Sequence, residues 1–255
     1  MVTRSHVLAW RAQLEQRGLA GATIRRKLAA LASLFDHLLE SNAIAGGNPV
    51  HGVKRPKIES NEGKTPALGD HQAKALLDAP DETTLKGLRD RAILAVLLYH
   101  GLRREEAALL QVSDIQERRG IQHLKVHGKG GKVRYLPLHP VAAGRIHQYL
   151  ESSGHHLADR KVSLFIPLRG KLTGAGITAN GIYTVVTAYA KKAGIQVAGL
   201  GVHGLRATAA TNALEHEADI AKVQAWLGHA NISTTKIYDR RENRPEDSPT
   251  YKVKY

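Results

Sequence analysis

The chain has 255 residues, 42% of them hydrophobic, which is material for one large domain or two modest ones with a real core. It contains no cysteine, which removes disulfides and thiolate metal sites, and no apolar run approaches the roughly 20 residues that a membrane-spanning helix needs. The net charge of +14 creates a field that attracts polyanions, and nucleic acid is the commonest partner for such a field.

At the N-terminus Arg4, His6 and Arg11 interrupt the apolar residues, so no secretory signal is read there and the expected compartment is the cytoplasm. Aromatic residues are scarce, and the apolar content is mainly Leu, Ala, Val and Ile, which suits helices better than sandwiches. A first helix is expected over 5–17, capped by Ser5 and ended by Gly18. A second, capped by Thr23, carries Ile24, Leu28, Leu31, Phe35, Leu38 and Leu39 at helical spacing. Its first turns hold Arg25, Arg26 and Lys27, which fan around the helix, so only part of that run can face a phosphate. Residues 46–66 change character, with Gly46, Gly47, Pro49, Gly52, Pro56, Gly63 and Pro66 among Lys54, Arg55 and Lys57; they read as a basic linker.

Helical patterns then dominate. A short helix is expected over 69–78 and a longer one over 84–100, where Ala92 to Tyr99 are apolar all round and imply burial. Gly101 closes it, and another helix begins at Arg103. Ile121 to Val126 and Lys132 to Leu138 alternate like strands around Gly128-Lys129-Gly130-Gly131, which predicts a β-hairpin. Helices return near 140–152, 179–193, 204–216, 219–227 and 233–238. The fold class expected is therefore mainly α (α+β), with a small antiparallel β-sheet.

The chemistry rests on an ordered set. His203 and Arg206 stand one helical turn apart. Leu227-Gly228-His229 follows an amphipathic helix built on Ile220, Val223 and Leu227, and Tyr238 stands nine residues after His229. Far upstream, Gly101-Leu102-Arg103 opens a helix whose first turn holds Glu105 and Glu106, where the helix dipole favours carboxylates. Lys129 sits at the hairpin tip. A phosphodiester cut without metal needs such parts: two guanidinium forks on the nonbridging oxygens, imidazoles that hydrogen-bond and move protons, a tyrosine hydroxyl to attack, and an acid for the leaving oxygen. Each residue taken singly is more often a surface, cap or packing residue; the weight lies in their joint occurrence.

The run from His229 to Tyr238 resembles the LGHxxxxTTxxY signature of the tyrosine recombinase, or phage integrase, family. His203 to Thr208 resembles its HxLRxT box. Leu102 to Asp114, with Glu106 three positions after Arg103, resembles its first arginine box, and Val126 to Pro137 resembles its V-x-GKG-x-K-x-R-x-x-P hairpin. The similarity covers nearly all of residues 66–240. The resemblance implies a helical core-binding domain over 1–58, shortened ahead of Ser5, a linker over 59–66, a mostly helical catalytic domain over 67–240 and a tail over 241–255. It implies a site-specific recombinase in which Tyr238 forms a 3′-phosphotyrosine and Arg103 and Arg206 bind the scissile phosphate. His203 and His229 assist, His203 in handling the tyrosine's proton; Lys129 is the general acid and Glu106 a supporting group. It further implies double-stranded DNA as partner, a homo-tetramer on paired DNA sites, a nucleoid-associated location, and no cofactor, metal or ATP.

Other readings are weaker. Gly128 to Lys132 lacks P-loop spacing, since Val126 stands where the first glycine belongs and Val133 where Ser or Thr is required. Glu215-His216-Glu217 and His155-His156 lack the spacing of a metal site, and Trp226 reads as core. A type IB topoisomerase would share the chemistry, and a DNA-binding regulator would share the charge. The tail is polar, with Val253 as its only aliphatic anchor.

Overall fold

The computed structural model describes residues 2–57, 65–155, 161–168 and 175–239, and for Lys129 the backbone alone. The chain divides into two compact units, residues 1–61 and 62–255.

The first unit is a helical pair. Helix α1 (Arg4–Gln16) begins one residue before the expected start because Thr3, not Ser5, occupies the cap. Helix α2 (Gly21–Glu40) starts after Ala20, ahead of Thr23, and has no side-chain cap. Val7 and Leu14 of α1 pack on Ile24, Leu28 and Ala32 of α2, with Val50 and Val53 closing the core. The segment after α2 is ordered by side chains rather than by regular structure. Asn48 Nδ2 donates to Ala32 O (2.9 Å) and Asp36 (2.7 Å), and Arg11 donates to Lys54 O (2.6 Å).

The second unit is built around α4 (Leu85–His100). Its residues Ala92 to Leu97 are essentially inaccessible, which is why its apolar pattern runs all round the helix. It packs against α3 (Asp70–Asp78), α6 (Pro140–Ser153), α7 (Ala179–Lys192) and α8 (Val202–Glu215). A buried carboxylate is tolerated on α4 because its hydrogen bonds are made. Asp90, 0% exposed, accepts from Arg89 (2.7 and 2.9 Å), Lys86 (2.6 Å) and the Tyr189 hydroxyl (3.0 Å), tying α4 to α7. Helix α5 is short (Arg104–Ala108), and α9 (Ile220–Leu227) and α10 (Ser233–Lys236) end the described chain.

The sheet has three antiparallel strands in the order β1 (Ile115–Arg118), β2 (Ile121–His127) and β3 (Val133–Pro137). The hairpin of β2 and β3 forms where the alternation predicted it, pairing Leu124 with Leu136 and Val126 with Arg134. Its loop turns on Gly130 and Gly131, both at positive φ. Strand β1 is additional. Ile115-Gln116-Glu117-Arg118 has no alternation to betray it, and its turn uses Arg119 and Gly120, both at positive φ, in place of the usual Asn-Gly. Trp226 is partly buried against the core, as expected.

Candidate active site

Three helix ends meet at the site. Helix α4 stops at Gly101, in the left-handed conformation with φ +58, and a Cβ there would meet Leu227 Cδ2 at 2.8 Å. Helix α9, capped at its start by the Asp219 side chain, stops at Gly228 with φ +69. Helix α8 begins at Val202 after an extended Gly201, so His203 sits in its first turn and Arg206 one turn later. Gly204 lets this helix approach the chain before it closely: a Cβ would lie 3.0 Å from Pro66 O. Thr208 completes the seat by accepting from Leu68 N (2.8 Å) and donating to Gly204 O (2.9 Å).

Arg206 is 1% exposed and buried against both helix ends. It donates to the carbonyl of Gly101, and its Nη2 donates to Leu227 O (2.6 Å). These are unsatisfied carbonyls at the negative poles of α4 and α9, which is where a buried cation is best accommodated. Burial, then the charge of Arg103, lowers its pKa to about 10, so it remains a cation at neutral pH.

Arg103 caps the start of α5 and is held by Glu106. Glu106 Oε2 accepts the Arg103 backbone N–H (2.9 Å), and Oε1 accepts from Arg103 Nη1 (2.8 Å). Burial alone would raise the Glu106 carboxyl. Hydrogen bonds from Arg134 and the Arg103 backbone, with the charge of Arg134, outweigh it and hold the pKa at about 2.

Arg103, His203 and Arg206 line one cleft of about 430 Å³, together with Arg104, Glu105, Tyr183 and the backbone around Gly199 to Val202. Partial burial, then Arg206 and Arg103, push the His203 imidazole below its ordinary value. His229 is affected more strongly: burial first, then Arg206, Arg103 and His203, bring it to about 4. Both rings are therefore neutral at physiological pH, able to accept a proton.

Tyr238 lies beside His229, with ring centroids 6.1 Å apart. It is 2% exposed, packed with Ala207, Ala210, Leu214, Val223 and Leu227, and outside the lining of the cleft. Burial raises its pKa, while the charges of Arg206 and Arg103 pull it back down, so the hydroxyl stands within the field of both guanidiniums. The short α10 that leads to it is pinned at two points. Thr235 Oγ1 shares a 2.9 Å hydrogen bond with His229 Nδ1, and Thr211 Oγ1 donates to Tyr238 O (3.2 Å). Helix α10 ends at Lys236, so Tyr238 stands just past the helix rather than at its last position.

Of the six residues singled out in the sequence, five thus gather at one corner of the second unit. The backbone of Lys129 lies at the hairpin tip as expected, and its side chain lies outside the described residues. Val253 of the tail does also. Among the described residues no group of three or more His, Cys, Asp or Glu could hold a metal ion. One participant to which the sequence reading gave no role is Arg134 of β3, the arginine of the hairpin motif, whose Nη1 and Nη2 donate to the two oxygens of Glu106 (2.9 and 2.8 Å).

The phage integrase family model matches residues 67–244. The chain belongs to the phage integrase family. It is 33% identical over 233 residues to tyrosine recombinase XerC of Pelotomaculum thermopropionicum, covering 89% of this chain and 73% of that one. To tyrosine recombinase XerD of Listeria monocytogenes it is 33% identical over 236 residues, covering 92% and 77%. The fold is also that of the XerH site-specific recombinase solved with a palindromic difH substrate, at TM-score 0.72 and 22% identity, over 93% of this chain and 68% of that one. The chain is accordingly a tyrosine recombinase, a mainly helical enzyme with a small antiparallel sheet.

Proposed function

We propose that this integrase-family enzyme cuts and rejoins double-stranded DNA through a phosphodiester between Tyr238 and the 3′ end of the broken strand. The observation that carries the proposal is the cleft in which Arg103, Arg206 and His203 converge, with Tyr238 inside the field of both guanidiniums. Arg103 and Arg206 clamp the nonbridging oxygens of the scissile phosphate, where charge builds in the transition state. The Tyr238 oxygen attacks phosphorus, and its proton passes to neutral His203. The bond to the 5′ oxygen breaks, and Lys129 protonates that oxygen. His229 hydrogen-bonds the phosphate and steadies α10 through Thr235. Rejoining is the reverse, with a 5′-hydroxyl attacking the phosphotyrosine. The phosphodiester count is unchanged throughout, so ligation draws on no ATP, and the two guanidiniums supply the positive charge that other nucleases take from metal ions.

Tyr238 is 2% exposed and outside the lining of the cleft, so attack requires the α10 segment to shift toward it. That shift breaks the Thr235–His229 and Thr211–Tyr238 hydrogen bonds and uncovers the Tyr238 ring. The first unit, with the basic linker, serves as the DNA-grasping domain, and four protomers assemble on two DNA sites. The expected location is the nucleoid. No helix among the described residues is long and apolar enough to cross a membrane.

Covalent capture in cells tests this with the DNA target still undefined. Wild-type and Tyr238→Phe proteins are expressed, lysates are denatured, and DNA still attached to the protein is sequenced. The wild type is expected to yield a recurrent sequence and the Phe variant none, with non-covalent DNA affinity changed by less than about 3-fold. Equal recovery from the Phe variant would contradict the assignment of Tyr238.

A further inference from the structure

Arg134 donates three hydrogen bonds at the site, and the proposed chemistry does not use it. It projects from β3, opposite Val126, immediately after the hairpin that carries Lys129. Its two terminal nitrogens bind both oxygens of Glu106 (2.9 and 2.8 Å), and its Nε donates to Trp226 O (3.1 Å) at the end of α9. The side chain also lies against Gly228: a Cβ there would sit 3.5 Å from Arg134 Cδ. One guanidinium thus joins the hairpin strand, the carboxylate that orients Arg103, and the turn that presents His229.

The charges make this more than a structural brace. Glu106 is 5% exposed and also binds Arg103. With Arg134 absent, Arg103 would be the only cation bonded to that carboxylate, and much of its field would be spent there. With Arg134 in place, Glu106 and Arg134 form a bidentate neutral pair. Glu106 can then orient Arg103 through hydrogen bonds while leaving its positive charge for an incoming anion. Arg103 is 41% exposed toward solvent, whereas Arg134 is only 15% exposed, so the two cations of the network divide between ligand-facing and supporting positions.

We infer that Arg134 is a positioning residue of this recombinase, neutralising Glu106 so that Arg103 keeps its charge for the scissile phosphate and fixing the α9 turn that carries His229. The inference rests on the phosphotyrosine reading given above.

The experiment uses the full chain and a nicked duplex of the sequence recovered by covalent capture. Single-turnover formation of the protein–DNA adduct and equilibrium DNA affinity are measured for the wild type, Arg134→Gln, Arg134→Lys, Glu106→Gln and the Arg134→Gln/Glu106→Gln double variant. Thermal unfolding of each confirms a folded chain. Arg134→Gln is expected to slow adduct formation about 100-fold while affinity changes less than about 3-fold. Arg134→Lys, which keeps the charge but not the fork, recovers at least about 10-fold of that loss. The decisive arm is the double variant. Removing the carboxylate's charge releases Arg103, so the double variant reacts faster than Arg134→Gln alone. A brace without an electrostatic role would make the two losses accumulate, and that result overturns the inference while leaving the recombinase reading intact. A wild-type rate in Arg134→Gln does the same. Failure of the wild type to form any adduct overturns both.

Discussion

Arg206 is the buried cation around which the helix ends of the site are arranged. Its buried guanidinium terminates two helices at once, through the carbonyls of Gly101 and Leu227. Lysine keeps the charge but cannot bond two carbonyls in this fork geometry. Arg206→Lys is therefore expected to lose about 1–3 kcal/mol of stability and at least about 100-fold in adduct formation, read by urea unfolding and by trapping. Unchanged stability would mean that the helix ends are satisfied in another way. At this scale the sequence was unusually informative. Arg103, His203, Arg206, His229 and Tyr238 were each unremarkable alone, but their spacing was legible because the chemistry fixes it. The supporting role of Glu106 came from the family resemblance alone; its hydrogen bonds to Arg103 are consistent with it. The role of Arg134 was not legible. Its partners, Glu106 and Trp226 O, are 28 and 92 residues away, and no local pattern encodes a contact across β3, α5 and α9. The burial of Tyr238 was also invisible, since it depends on tertiary packing against α8 and α9.

At the scale of elements, the site depends on helices stopping in the right place. Gly101 is the clearest case, because its left-handed backbone and its contact with Leu227 both exclude a side chain. Gly101→Ala is expected to cost about 2–3 kcal/mol, roughly half from the backbone conformation and half from displacing Leu227. It should also slow adduct formation, because the carbonyl that Arg206 binds moves with the turn. Denaturant unfolding checks the first part, and an alanine variant as stable as the wild type would refute it. Helix α4 was readable almost to the residue, from its all-round apolar run and the Gly101 that closes it. Strand β1 was not, because a four-residue strand at the edge of a sheet has one apolar residue to offer. The starts of α1 and α2 shifted because Thr3 and Ala20 precede the Ser5 and Thr23 that the cap rules favour.

At the scale of the molecule, two bulk properties follow from charge. With a net charge of +14, DNA affinity is expected to fall roughly 10³-fold or more between about 50 and 200 mM salt if about six or more phosphates are contacted. A flat response would contradict the electrostatic account. Stability also carries a pH signature. His100 is 1% exposed, and burial, reinforced by the charge of His139, lowers its pKa from 6.5 to about 4. Above pH 6.5 the ring is neutral whether the chain is folded or not. Between 6.5 and about 4 the unfolded chain takes up a proton that the folded chain refuses, so stability falls as pH falls. At pH 4 this amounts to about 3 kcal/mol, and His100→Gln should remove that part of the decline. His229, also lowered to about 4, adds to the same window, and Glu106 acts mostly below it, between its ordinary 4.5 and about 2. A variant with the wild-type slope between pH 6.5 and 4 would show that His100 is not the cause.

Tandem mass spectrometry of the adduct reaches furthest into the account. Protein recovered with attached DNA is digested with nuclease and protease, and the peptides that retain a nucleotide are sequenced. The nucleotide mass is predicted on the tyrosine of Ile237-Tyr238-Asp239, joined through a phosphate to a 3′ carbon. A nucleotide on any other residue, or attached through its 5′ carbon, would contradict it.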